Sequence, residues 1–142
     1  MKPSLQPGIE HTFTFRVSPS KTVAALYPES PEFQQMPEVF ATGFLVGFFE
    51  WACIRAIIPH LDWPEEQSVG TQIDMSHLAA TPPGMEVTAT VKLTAVEGKR
   101  LKFELEATDG VDVIGRGTHE RFVIDKTKFV ERIRQKAEKA AT

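Results

Sequence analysis

Residues 11–17 read HTFTFRV, which sets Phe13, Phe15 and Val17 against Thr12, Thr14 and Arg16 and predicts a half-buried strand over His11–Val17. Between Ser18 and Pro37 the period is lost. Pro19, Pro28, Pro31 and Pro37 punctuate that stretch, Val23–Tyr27 has room for one short helix, and Phe33 and Met36 are apolar without a regular element to carry them. A lid or loop over 18–37 is the expectation. The chain then turns apolar nearly all round, with Phe40, Phe44, Phe48 and Phe49 close together. This predicts a long helix with Pro37 in its first turn, Glu38 near its positive end and Pro59 stopping it after Ile58. Such a helix has to be wrapped by other structure.

Four strand-like segments follow. Val69, Thr71, Ile73, Met75 and His77 share a face in the first, and Met85, Val87, Ala89, Val91 and Leu93 in the second. The third, Leu101–Ala107, turns Leu101, Phe103 and Leu105 inward; the fourth covers about Val111–Ile124. Glu97-Gly98-Lys99 and Asp109-Gly110 are turn signals, consistent with an antiparallel meander. Asp125 is placed to cap a last helix with an apolar stripe of Phe129, Val130, Ile133 and Ala137. The economical packing is α+β: a five-stranded antiparallel sheet around one long central helix, with a lid and a C-terminal helix, in one domain over 1–142.

A chain of 142 residues has surface enough to bury a single core but little spare volume for a deep ligand cavity. Its net charge of -3 gives no global attraction to nucleic acid or an anionic membrane. With one cysteine, Cys53, no intrachain disulfide can form. The opening MKPSLQPGIE lacks the apolar stretch of a secretory signal, and the longest run without charge or proline, Val39–Phe49, is short of the roughly 18 residues of a membrane span. A cytoplasmic location, without nucleic-acid or membrane partners, is expected.

Glu50 places a carboxylate in the most hydrophobic element. Either it points out along a solvated strip and pairs with a base such as Arg55, or burial perturbs it for chemistry. His77 shares the apolar face of its strand, as a core histidine satisfied by a carbonyl or as a catalytic one. Thr42, placed inside the helix, can bond back to a carbonyl one turn earlier or serve a site. Cys53 reads as a buried, inert thiol. His11, His60, His77 and His119 have no metal-ligand spacing. Gly115 and Gly117 echo a nucleotide loop but no helix follows at the right distance, whereas Gly43 and Gly47 suit close packing against a sheet or subunit. The basic last helix lacks aromatics for stacking bases.

The segments KTVAALYPESPEF, PEVFATGF with GFFEWACIRA, VGTQIDMSHLAATPPGM and DGVDVIGRGTHER resemble, in order and spacing, the fluoroacetyl-CoA thioesterases of the hot-dog superfamily. The resemblance spans nearly the whole chain. It implies a hot-dog fold, a homodimer, and hydrolysis of short acyl-CoA thioesters with no metal and no cofactor, CoA being part of the substrate. It also implies Thr42, Glu50 and His77 as the catalytic set, Gly70 and Arg121 as substrate contacts, and Val23, Leu26, Phe33 and Met36 as an apolar lid. The fluoroacetyl-selective pattern has phenylalanine where this chain has Met36, whose flexible side chain lacks a rigid ring face. That departure bears on fluorine selectivity more than on hydrolysis.

The chemistry suits those residues. Glu50 can attack a thioester carbonyl or activate water, His77 can move protons, and Thr42 offers a hydroxyl near the helix's positive end. Gly70 permits close approach of the carbonyl, while Arg121 can serve an acyl carboxylate, a pantetheine carbonyl or a CoA phosphate. Gly70 and His77 are seven residues apart on one strand, about 23 Å. Thr42 and Glu50 are eight apart, about 12 Å along a helix and about 80° around it. One chain cannot close both groups on one carbonyl, so the expectation is two copies paired antiparallel along this strand, with two composite sites per dimer. A hot-dog 3-hydroxyacyl or enoyl thioester dehydratase and a non-enzymatic acyl-CoA binding module are the alternatives.

Overall fold

The computed structural model describes all 142 residues. Five strands, β1 (Glu10–Arg16), β2 (Glu66–His77), β3 (Glu86–Glu97), β4 (Arg100–Thr108) and β5 (Val113–Asp125), form one antiparallel sheet in the order β1-β3-β4-β5-β2. The expected meander holds for β3, β4 and β5 and fails for β2. That strand pairs with β5 at the far edge, and β1 takes the place beside β3. The reason is local: Leu78–Met85 contains Pro82 and Pro83 and is too long for a tight hairpin, so it crosses over instead. The Phe40 N–H donates to the Thr81 carbonyl at 2.8 Å as the crossing passes the central helix.

That helix, α2, runs Thr42–Ile57, and α1 is the short turn Val23–Leu26 before it. The expected start at Pro37 is five residues early. Residues 37–41 stay outside the helix because their backbone is used elsewhere: Val39 N–H donates to Pro37 O, Val23 N–H to Val39 O and Ala41 N–H to Lys21 O, and Thr22 bridges Phe40. With those groups satisfied and Phe40 at 1% exposure, a helix there would lose bonds rather than gain them. Thr42 therefore stands in the first turn of α2, not inside it.

Leu45, Phe48, Phe49, Ala52, Cys53, Ala56 and Ile57 of α2 are buried against the sheet. They meet Val87, Ala89, Val91 and Leu93 of β3 and Leu101, Phe103 and Leu105 of β4, all of which the alternation placed inward. Wrapping is incomplete within one chain, because Gly43, Gly47, Trp51 and Arg55 on the opposite side stay exposed. By length and composition Thr42–His60, 19 residues of mean hydropathy 1.3, could cross a membrane; here it is the core helix of the sheet. The last helix, α3 (Lys126–Ala140), is capped by the Asp125 carboxylate, which accepts from Lys128 N–H at 3.0 Å. Of its apolar stripe Phe129 is half-buried, whereas Val130 and Ile133 remain exposed.

Candidate active site

The strand that carries Gly70 is not regular. Gly70 pairs with Arg121 and Gln72 with Glu120, so Thr71 is an extra residue in a bulge. The expected face of Val69, Thr71, Ile73, Met75 and His77 is therefore broken at Thr71. Ile73 pairs with His119 and His77 with Gly115, on the side of α2, and the one-residue slip brings Gly70 onto that same side while Val69 pairs with the exposed Phe122.

Glu50 reaches this position from α2. Its Oε2 accepts from Arg121 Nη1 at 2.8 Å. Arg121 is 3% exposed and almost fully committed: Nε donates to Ser68 Oγ at 2.7 Å, Nη2 to the Ser68 carbonyl at 2.9 Å, and Nη1 also to His119 Nε2 at 3.1 Å. Such a guanidinium orients a carboxylate. Within one chain its donors are turned toward Ser68, His119 and Glu50. Glu50 therefore pairs with buried Arg121 and not with Arg55, whose guanidinium stacks on Phe13 and Trp51.

A side chain at Gly70 would contest the position of the Glu50 carboxylate. A Cβ there would lie 2.6 Å from Glu50 Oε2, 3.3 Å from His119 Cε1 and 3.4 Å from Arg121 Nη1. Glu50, Gly70 and His119 line an open depression of about 280 Å³ with Val46, Thr71, Gln72 and Ile73. The carboxylate keeps its second oxygen unpaired beside that space.

Thr42 and His77 form a second, separate group. Thr42 Oγ1 and His77 Nδ1 share a hydrogen bond of 2.7 Å, and His77 Nε2 is buried without a hydrogen-bond partner. Burial lowers the His77 pKa, opposed in part by the Ala79 backbone, so the ring is held toward its neutral form. The lid covers this end of the molecule. Leu26 packs over Gly43, next to Thr42, so closely that a Cβ on Gly43 would meet Leu26 Cδ2 at 2.7 Å. Phe33 stacks edge-on against Tyr27 with centroids 5.8 Å apart, Val23 is half-buried, and Met36 is 54% exposed.

Glu50, Gly70 and Arg121 thus converge, Thr42 and His77 converge, and the two groups do not meet within a chain. Cys53 is fully buried and its thiol is pushed up to about 12, chiefly by burial, which leaves it a packing residue. Gly115 and Gly117 admit Leu45, Phe49 and Met75 at close range; they serve packing. Three residues escaped sequence reasoning. His119 and Ser68 hold Arg121, and Thr81, fully buried, donates to Asp109 Oδ2 at 2.9 Å while its carbonyl secures Phe40 two residues before Thr42. A strand histidine two residues before an arginine was the available signal for His119.

The family model for fluoroacetyl-CoA-specific thioesterase matches residues 17–127. The fluoroacetyl-CoA thioesterase of Streptantibioticus cattleyicolor is 57% identical over 136 residues, 96% of this chain and 97% of that protein. A mutant of the fluoroacetyl-CoA-specific thioesterase, solved in complex with fluoroacetate and CoA, superposes with a TM-score of 0.85 at 58% identity, covering 88% of this chain and 99% of that one. A thioesterase superfamily member from Thermus thermophilus has a TM-score of 0.86 at 30% identity, covering 99% and 98%. These neighbours share the hot-dog architecture of five antiparallel strands and a central helix described above. On the match of family, sequence and fold together, this chain belongs to the fluoroacetyl-CoA-specific thioesterase family.

Proposed function

We propose that this protein hydrolyses short acyl-CoA thioesters at sites assembled from two copies of the chain, Glu50 and Gly70 from one and Thr42 and His77 from the other. The observation that carries the reading is the asymmetric clamp at Glu50: one oxygen is fixed by buried Arg121 and the other is unpaired at a cavity beside a side-chain-free Gly70. The substrate class is that of the relatives, one of them solved with fluoroacetate and CoA.

Three features support assembly across copies. β2 is an edge strand with one side unpaired. The exposed side of α2 carries Gly43, Gly47 and Trp51 beside Arg55, with open space at Gly47. Gly70 and His77 lie on the same side of β2 but about 20 Å apart, allowing for the bulge. An antiparallel β2 pairing centred between them would place each Gly70 near the other chain's His77.

In that arrangement Glu50 either adds to the thioester carbonyl, forming an anhydride that water then opens, or takes a proton from water as it adds. The C–S bond breaks, CoA leaves as the thiol after receiving a proton, and the acyl group leaves as the carboxylate. Neutral His77, oriented by Thr42, is suited to moving that proton. Arg121 holds Glu50 and does not touch the acyl group.

Thiol release from acetyl-, fluoroacetyl-, propionyl- and longer acyl-CoAs, measured beside Glu50→Gln and His77→Ala, tests the reading. Turnover of at least one short substrate, lost in both variants, is the expected result. Inert substrates throughout, or wild-type rates in both variants, would reject it. Loss of enoyl absorbance without thiol release would favour a dehydratase instead.

A further inference from the structure

We propose that His119 is a positioning residue for thioester hydrolysis: in its neutral form, protonated at Nδ1, it locks the Arg121 guanidinium in the orientation that holds Glu50. The proposal rests on the reading of Glu50 as the reacting carboxylate.

The geometry leaves one tautomer. His119 Nδ1 is 2.7 Å from the Gln72 carbonyl, the first residue after the bulge. A carbonyl only accepts, so Nδ1 carries the proton. The neutral ring then has a bare Nε2, and this is the atom 3.1 Å from Arg121 Nη1. Nη1 uses one hydrogen on His119 and the other on Glu50 Oε2. Ser68 fixes only the opposite edge of the guanidinium, through Nε and Nη2. Removal of the His119 acceptor leaves a buried N–H unpaired on the same nitrogen that grips Glu50, and that nitrogen is free to turn. Protonation of Nε2 is worse, because it sets N–H against N–H and a cation against a cation.

The surroundings favour the neutral ring. His119 is 3% exposed. Arg121 and Glu120 flank it on its own strand, Glu50 faces it from α2, β2 presents the Gln72 carbonyl, and β4 presents the Phe103 ring with centroids 6.4 Å apart. Burial lowers its pKa first, the Gln72 carbonyl opposes, Arg121 lowers it further, and Glu50 and Glu120 oppose. The net direction is downward from the ordinary histidine value. Acidification through that lowered pKa would release Arg121 and with it Glu50.

Substitutions separate the acceptor from the ring's bulk. His119→Gln can donate to Gln72 and place its oxygen near the Nε2 position, whereas His119→Phe keeps a ring without hydrogen bonds and His119→Asn reaches Gln72 but not Arg121. Two readouts apply: kcat and KM for acetyl-CoA hydrolysis, and solvent exchange of the Arg121 guanidinium hydrogens followed by NMR, which needs no turnover. We expect His119→Phe and His119→Asn to lower kcat by about tenfold or more with KM within about twofold, and to accelerate Arg121 exchange. His119→Gln should retain most of kcat and slow exchange at neutral pH, and should keep the slow exchange at acid pH where the native protein loses it. Native exchange and native kcat in His119→Asn, or equal impairment in the Gln and Phe variants, would overturn the proposal. If the native protein turns over no thioester, the functional reading fails, and the exchange series still decides whether His119 holds Arg121. Should His119→Phe not fold, the contrast between Gln and Asn gives the same decision.

Discussion

Glu50 Oε2 and Arg121 Nη1 are 2.8 Å apart, yet the arginine side chain is 3% exposed and the glutamate 39%. The pair is sealed on one side and open on the other, which is the arrangement of a carboxylate held for use. Arg121→Met removes the grip and leaves the Ser68 carbonyl and His119 Nε2 without donors. A loss of about 1–3 kcal/mol in denaturant unfolding is expected from those orphaned acceptors. Thioester turnover should fall further than that stability loss explains, in kcat more than in KM.

Gly70→Ala should separate activity from folding. Its Cβ would contest the position of Glu50 Oε2 at 2.6 Å, and the flexible end of Glu50 can yield without moving backbone. The expected outcome is a cooperative melt close to native and a kcat reduced by about tenfold to a hundredfold, since a displacement of about 1 Å at a reacting group has that effect. Native kcat in the alanine variant would show that the carboxylate's position there is unimportant.

Buried Thr81 links the crossover to the strand turn by donating to Asp109 Oδ2, and its carbonyl secures Phe40 just before Thr42. Thr81→Val keeps the volume and orphans a carboxylate oxygen, with an expected cost of about 1.5–3 kcal/mol in chemical denaturation. Burial alone would raise the Asp109 pKa, but hydrogen bonds from the Asp112 and Val111 N–H groups and from Thr81 hold it below the usual carboxylate value. A lowered folded pKa stabilises the fold above the unfolded value near 3.8, and that contribution disappears as pH falls through the folded one. The native protein should therefore lose more stability than Thr81→Val on going from neutral pH to below pH 3.8, narrowing the gap between them.

Composite sites make a prediction that single-chain sites do not. Glu50→Gln and His77→Ala, each inactive alone, should regain activity when co-refolded. A mixed dimer would carry one site with both substitutions and one with neither, giving about a quarter of the native rate at equal mixing. Absence of recovery, with mixed dimers demonstrated by mass spectrometry, would place each site within one chain.

The lid residue Met36 is 54% exposed. Met36→Phe restores the rigid ring of the fluoroacetyl-selective pattern, and the ratio of kcat/KM for fluoroacetyl-CoA over acetyl-CoA should rise by several-fold, on the order of 1 kcal/mol in discrimination. An unchanged ratio would show that selectivity is set elsewhere.

What the sequence by itself determined is the part that depends on neighbours along the chain. Period-two alternation placed Val87 through Leu93 and Leu101 through Leu105 inward, an uninterrupted apolar run marked α2, Asp125 marked the start of α3, and the resemblance singled out Thr42, Glu50 and His77. What only the tertiary structure decided depends on partners distant in sequence. Residues 37–41 stayed out of the helix because the lid used their backbone, and β2 moved to the sheet edge because a proline-bearing crossover carried it there. Periodicity cannot register one extra residue at Thr71, so the side of the strand that Gly70 occupies was illegible until β5 supplied the register. The role of Arg121 was hidden for the same reason: a guanidinium can serve a phosphate or a carboxylate, and it was the folded arrangement of Ser68, His119 and Glu50 around it that committed it to Glu50.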